Sequence, residues 1–250
     1  MESALLREHH PDFIFNFCGD GMAVFRNIGF YWDPDFRRGY NRGVQAAGTD
    51  CGTQWRFLTC LWAAQNALRI QGDFVECGVG RGFMSSGIME VLDWNSRDRE
   101  FYLFDTFEGV VEELCTAAEI DKMTAEDGGV AAHNEKYIGW SYYADGYESV
   151  KDNFSEWNNS TLIKGAVPHT LNNVSIDKVA FLHIDMNSVI PEMAAIEFFW
   201  PKLSTGASVV LDDYAHSGYV LQYEAWNEWG RENTVPILTL PTGQGLIIKT

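Results

Sequence analysis

Three aspartates stand at the ends of two apolar runs. Asp185 closes VAFLHID (179–185), and Asp212 and Asp213 directly follow ASVVL (207–211). If those runs are neighbouring strands, their ends converge. Clustered carboxylates repel one another unless a cation sits among them. An all-oxygen donor set favours Mg2+, Ca2+ or Mn2+ over softer metals. Such an ion would bind a substrate hydroxyl and lower its pKa, giving an alkoxide nucleophile. A plainer reading competes: Asp212 and Asp213 cap the helix that starts near Ser217, and Asp185 pairs with a surface cation.

A second constellation lies upstream, in Glu76-Cys77-Gly78-Val79-Gly80-Arg81-Gly82-Phe83. Glycines let the chain turn sharply and let a ligand approach the main chain. The spacing is G-x-G-x-G. A dinucleotide fingerprint needs a third glycine at position 83, where Phe83 stands, so NAD is disfavoured. Glu76 before the loop suits a ligand with a positive end. The next apolar run, FYLFD (101–105), ends in Asp105 and is followed by Thr106. An acid there can accept both hydroxyls of a ribose, or it can simply cap a turn. Glu76, Gly78, Val79, Gly80, Arg81, Asp105 and Thr106 are therefore the candidate cofactor-binding residues. Together they predict an adenosine ligand, S-adenosylmethionine in preference to NAD.

Histidine is the usual proton carrier near neutral pH. His169 and His216 lie just past two of the apolar runs and are candidates. His183, in mid-run, reads as a core residue. His9, His10 and His133 read as surface residues.

The elements that must position these groups follow from hydropathy. Runs at Asp73–Cys77, Phe101–Asp105, Thr161–Lys164, Val179–Asp185 and Ala207–Leu211 are apolar on both faces, as in strands buried between helix layers. Two more strands, Val235–Leu240 and Gly245–Lys249, flank the turn at Pro241-Thr242-Gly243. Helices are predicted over Thr53–Ile70, Gly82–Trp94, Tyr147–Trp157, Pro191–Leu203 and Ser217–Trp229. The whole predicts an α/β, doubly wound, seven-stranded and mostly parallel sheet with an antiparallel last strand. The 250 residues form one domain in this reading. Residues 1–50 and the insertion at 106–146, with Tyr137, Trp140, Tyr142 and Tyr143, are expected to cover the strand ends as lids. A surface excursion with its own small core is the alternative for each.

Composition narrows the partners. The net charge of −17 repels phosphate backbones and anionic lipid, so nucleic acid and membrane are not expected partners. No apolar run approaches the ~18 residues of a bilayer span. The N-terminus lacks the layout of a signal peptide. Cys18, Cys51, Cys60, Cys77 and Cys115 are odd in number and form no CxxC pair, which predicts a reducing cytoplasm.

The ordered motifs FVECGVGRG, FYLFDTFEG, KGAVPHTL, FLHIDMN and VVLDDY, spread from about Thr53 to Lys249, resemble the macrocin O-methyltransferase family. The resemblance implies a class I methyltransferase fold, S-adenosylmethionine, Mg2+, and a small-molecule hydroxyl acceptor, a sugar of a macrolide or aminocoumarin antibiotic. It implies that Glu76, Gly78 and Gly80 line the methionine end of the cofactor and that Asp105 holds the ribose. It implies Asp185, Asp212 and Asp213 as metal ligands, and a homo-oligomer. One position departs. The family pattern has a general-base aspartate two residues after the first metal ligand, and this chain has Asn187. An amide has no basic lone pair near neutral pH. Another base then acts (His216, His169 or a metal ligand), or no dedicated base is needed, or the acceptor differs. Two rival functions stay open: an NAD-dependent oxidoreductase, and a cofactor-binding module that has lost turnover.

Overall fold

The protein is described over residues 17–250 in a computed structural model. The expectations for His9 and His10 lie outside those residues. A short antiparallel hairpin, β1 (Phe17–Gly19) and β2 (Met22–Val24), comes first. Helix α1 (Pro34–Ala47) follows. Its start is written in the sequence: the Asp33 side chain accepts the N–H groups of Asp35 and Phe36 at 3.0 Å each, and Pro34 occupies the first turn. The lid expectation for residues 1–50 did not include this helix. Phe36 and Tyr40 bury its inner face against Phe57.

Next come α2 (Gln54–Ala67), β3 (Asp73–Cys77), α3 (Phe83–Val91) and β4 (Phe101–Asp105). Helix α1 packs on α3 at backbone contact. A Cβ added to Gly39 or Gly43 would lie 2.7 Å from the Gly87 or Phe83 carbonyl oxygen. Those glycines are helix-packing residues in the fold.

The insertion holds α4 (Ala117–Asp127) and α5 (Val130–Gly139), neither of which was predicted. Thr116 and Glu119 form a capping box at the start of α4. Cys115, Met123 and Val130 give the insertion a satellite core. The chain continues through α6 (Tyr147–Phe154), β5 (Ser160–Lys164), β6 (Val179–Ile184), α7 (Val189–Phe199), β7 (Leu203–Leu211), α8 (Val220–Glu232), β8 (Leu238–Thr239) and β9 (Gly245–Ile248).

The main sheet has seven strands in the order β5-β4-β3-β6-β7-β9-β8. Strands β3 to β7 are mutually parallel, and β9 runs antiparallel to β7 and β8. This is the predicted doubly wound, mostly parallel sheet. Most element ends shift by a few residues from expectation, and two shifts have a physical reason or consequence. Strand β7 begins at Leu203, the residue expected to end a helix; α7 ends earlier, at Phe199. The strand expected over Val235–Leu240 shrinks to Leu238–Thr239. Pro236 has no N–H to give a ladder, and the Val235 N–H is spent on the Gly230 carbonyl at the end of α8.

Strand alternation feeds two cores. Phe74, Phe101 and Phe181 face one helix layer with Phe57 and Trp94. Val75, Phe104 and Leu182 face the other with Phe199 and Trp226. Each fully buried ring stabilises the fold by ~2 kcal/mol. Among the described residues, no helix is long and apolar enough to cross a membrane.

One buried acid gives the second core a pH dependence. Glu192 is buried, and its Oε2 accepts the Trp226 indole N–H at 2.7 Å. Burial, opposed by that bond but reinforced by Asp213 and Glu119, pushes its carboxyl up to about 8. The folded chain thus keeps a proton that the unfolded chain has released above its ordinary value near 4.5. Its contribution is fully present below that value and is lost as pH rises toward about 8. Glu192→Gln preserves the shape and the acceptor. Its melting temperature should gain on wild type as pH is raised from about 5 to about 9. A difference that does not vary with pH would remove Glu192 as the cause.

Candidate active site

The strand ends are held in step by backbone hydrogen bonds. The Gly78 N–H donates to Phe104 O at 2.8 Å, Asp185 N–H to Cys77 O at 2.8 Å, and Asp212 N–H to Ile184 O at 3.0 Å. The glycine loop and all four aspartates therefore emerge on one edge of the sheet, at the switch between β3 and β6 where doubly wound sheets bind ligands. A cavity of about 470 Å3 opens there. Glu76, Gly78, Val79, Gly80, Arg81, Asp105 and Thr106 line it, and so do Asp185, Asn187, Asp212, Asp213 and His216. His169 is not among the lining residues; it sits exposed in the turn after β5.

The glycine loop passes under the end of β6. Gly78 has φ +92°, and a Cβ there would lie 1.8 Å from the Asp185 carbonyl oxygen. Asp105 anchors the loop. Its Oδ2 accepts the Gly80 N–H at 2.8 Å and its Oδ1 the Phe107 N–H at 2.6 Å. Burial pushes its carboxyl up, and those N–H groups pull it back. A carboxylate offers about four lone-pair sites, so capacity for ribose hydroxyls remains. Glu76 Oε1 meets His183 Nδ1 at 2.8 Å, while Oε2 is buried with no partner among the described residues. An orphaned carboxylate oxygen is costly until a donor arrives. A glycine turn, an anchored acid and this free oxygen fit a nucleoside carrying an ammonium group.

One carboxylate oxygen from each of Asp185, Asp212 and Asp213 can be chosen so that all three lie within 4.8 Å of one another. Burial, then Asp212 and Asp213, hold the Asp185 carboxyl well above the usual range. No described residue donates a hydrogen bond to it. Burial also acts on Asp212, but Arg56, His183 and Gln244 overcome it and hold that carboxyl well below the usual range. Three hard oxygen donors, one of them unshared, fit a divalent cation of the Mg2+ type.

Sequence reasoning missed the residues around this trio. Arg56 Nη1 donates to Asp212 Oδ2 at 2.7 Å and to Asp213 Oδ1 at 2.8 Å. Its Nε reaches Asp20, in the β1–β2 turn, at 3.1 Å. Gln244 Nε2 donates to Asp212 Oδ1 at 2.9 Å. His183, expected in the core, is buried there, yet it stands between the two halves of the site: Nδ1 on Glu76, and Nε2 3.7 Å from Asp212. A signal for Arg56 was available, since it is the one charged residue in the otherwise uncharged helix 54–67.

Asn187 adopts φ +57°, and its Oδ1 is buried without a partner among the described residues. His216 Nδ1 accepts the Gly218 N–H at 3.1 Å. In the neutral ring the proton then sits on Nε2, which makes that atom a donor. Above these groups stand Tyr137, Trp140, Tyr142 and Tyr143 of the insertion, with Tyr219 from the turn before α8. Tyr137 and Tyr143 stack at 5.3 Å between centroids. Arg81 Nε ties the wall to the glycine loop through Tyr143 O at 3.1 Å.

The family model for Macrocin-O-methyltransferase (TylF) matches residues 56–237, well over half of the chain. The chain belongs to the macrocin O-methyltransferase family. The match spans the glycine loop, Asp105, Asn187 and the acidic trio. Among macrocin O-methyltransferase relatives, the chain is similar to demethyldecarbamoylnovobiocin O-methyltransferase of Streptomyces niveus, 28% identical over 157 residues, covering 58% of this chain and 53% of that protein. It is also similar to mycinamicin III 3''-O-methyltransferase of Micromonospora griseorubida, 26% identical over 161 residues, covering 60% and 59%. The matches thus span between about half and three fifths of these relatives. The solved O-methyltransferase NovP superposes with a TM-score of 0.68 at 21% identity, over 90% of this chain and all of that one. A calicheamicin methyltransferase superposes with a TM-score of 0.56 at 17% identity, over 86% and 93%. These likenesses show the shared class I, Rossmann-like fold.

Proposed function

We propose that the protein is an S-adenosylmethionine-dependent O-methyltransferase acting on a small-molecule hydroxyl, a sugar of a glycosylated natural product. One observation carries the reading: the acidic trio opens into the same cavity as the glycine loop and its orphaned Glu76 oxygen. Two relatives, a demethyldecarbamoylnovobiocin O-methyltransferase and a mycinamicin III 3''-O-methyltransferase, support the acceptor class.

The chemistry is an in-line displacement. The hydroxyl oxygen attacks the methyl carbon of the sulfonium, the new C–O bond forms as the C–S bond breaks, and the electron pair stays on sulfur. The hydroxyl proton departs. Much of the catalysis is alignment of two reactants about 3 Å apart. Glu76, the Gly78–Arg81 loop and Asp105 hold the cofactor. Asp185, Asp212 and Asp213 would hold Mg2+ or a similar ion, which when bound supplies Lewis acidity that lowers the pKa of the hydroxyl. Asn187 Oδ1 accepts a hydrogen bond from the hydroxyl and orients it. As an amide it does not take the proton, which leaves to a carboxylate oxygen of the trio or to solvent. His216 Nε2 donates to an acceptor oxygen. The aromatic wall excludes water and presents faces for a sugar ring. Assembly as a homo-oligomer belongs to the same proposal.

Asn187 also favours a second reading, a cofactor-binding protein with an altered acceptor or lost turnover. A methyl-transfer screen against glycosylated metabolites, with Mg2+ and with chelator, separates the two. The first reading expects label in a glycoside and loss of transfer with chelator. Calorimetric cofactor binding with no transfer to any hydroxyl favours the second. Nicotinamide binding in a fluorescence titration would overturn both.

A further inference from the structure

We propose that Arg56 is a built-in counter-cation of the acidic trio, which holds Asp212 and Asp213 in place before any metal arrives and competes with a divalent ion for their oxygens. The inference rests on the reading of Asp185, Asp212 and Asp213 as a metal site. It goes beyond that reading because it assigns an antagonist to the site.

The geometry points to this role. Nη1 alone reaches Asp212 Oδ2 at 2.7 Å, Asp213 Oδ1 at 2.8 Å and the Asp212 carbonyl at 3.1 Å. Nε is shared between the Asp20 oxygens at 3.1 and 3.2 Å. Arg56 is only 7% exposed. A buried guanidinium held by carboxylates at both Nη1 and Nε stays where it is unless another cation takes over those carboxylates. Asp185 is the member of the trio that Arg56 does not touch. The metal-free site is therefore split: two carboxylates are hydrogen-bonded to one guanidinium, and one has no such partner among the described residues.

Two consequences follow. First, the strand ends keep their geometry without metal, since like charges at Asp212 and Asp213 are bridged. Second, a divalent ion at the trio must share or displace Nη1 and must approach a fixed positive charge, which weakens its binding. Asp20 gives the displaced guanidinium a place to stay, so the contact with the hairpin turn outlasts the exchange. A residue whose only job was to orient metal ligands would have the opposite effect on affinity.

The test is Mn2+ binding, followed by electron paramagnetic resonance and calorimetry on the cofactor-free protein, in wild type, Arg56→Met and Arg56→Lys. Arg56→Met should bind Mn2+ about tenfold tighter than wild type. Its melting temperature without metal should fall, and Mn2+ should restore it. Lysine keeps the charge but lacks the planar fork, so Arg56→Lys should fall between the two in affinity and hold most of the metal-free stability. If Arg56→Met does not fold, the lysine variant still carries the prediction of tighter binding. Equal or weaker Mn2+ binding in the variants, with wild-type binding intact, overturns the counter-cation and spares the metal site. No Mn2+ binding in any of the three, with cofactor binding intact, overturns the metal site itself and the counter-cation with it.

Discussion

Gly78→Ala will weaken cofactor binding a hundredfold or more and will displace Asp185 at the same time. The added methyl carbon would stand 1.8 Å from the Asp185 carbonyl oxygen, less than any non-bonded contact allows. The φ of +92° is itself strained for alanine. Relief needs the loop to lift away from β6 or the end of β6 to move. The first breaks the Gly78 N–H bond to Phe104 O and with it the cradle on Asp105; the second breaks the Asp185 N–H bond to Cys77 O. Either way one methyl group disturbs both halves of the site. Calorimetric titration with S-adenosylmethionine should show affinity reduced a hundredfold or more, and Mn2+ binding should weaken in the same variant. The sheet itself is anchored elsewhere, so far-ultraviolet dichroism should be unchanged. Wild-type affinity in this variant would mean that the ligand does not use this bend.

Asp185→Asn is expected to separate activity from stability. Asp185 faces Asp212 and Asp213, and no described residue donates to its carboxylate. An uncompensated, partly buried carboxylate among like charges is a cost to the folded state. Removing its charge should leave the melting temperature of the metal-free protein unchanged or raise it. Methyl transfer should meanwhile fall by a factor of about 10² or more, the scale of a lost Lewis acid. Mn2+ binding should be lost with it. The opposite pattern, a destabilised protein that keeps its activity, would return Asp185 to a purely structural role. This stability–activity opposition is common where acids are held together for function.

Much of this site was legible in the sequence because parallel strands carry their own address. The apolar runs that lead into Asp185 and Asp212 needed only to be adjacent for their acids to meet, and the doubly wound order sets β6 beside β7, with Asp105 at the end of β4 beyond β3. The glycine spacing, with Phe83 where a dinucleotide loop needs glycine, separated one adenosine ligand from another before any coordinates. Helix α1 went unread, although Asp33 and Pro34 mark its start. Its two glycines lower the local helix propensity, and they make sense only against the backbone of α3. The insertion was read through its tyrosines and tryptophan, while its two helices went unseen because a satellite core of three buried side chains leaves little periodicity.

What the amino-acid order determined by itself was the sheet, the loop and the set of acids, since each depends on residues close along the chain or on strand ends brought together by a common topology. Tertiary structure alone decided which polar and charged groups gather around those acids. Arg56, Asp20 and Gln244 come from a helix, a hairpin turn and the last loop, separated by up to 224 positions, and nothing local links them. Electrostatic partners are chosen by distance in space, and burial makes that choice decisive by removing the water that would otherwise screen it.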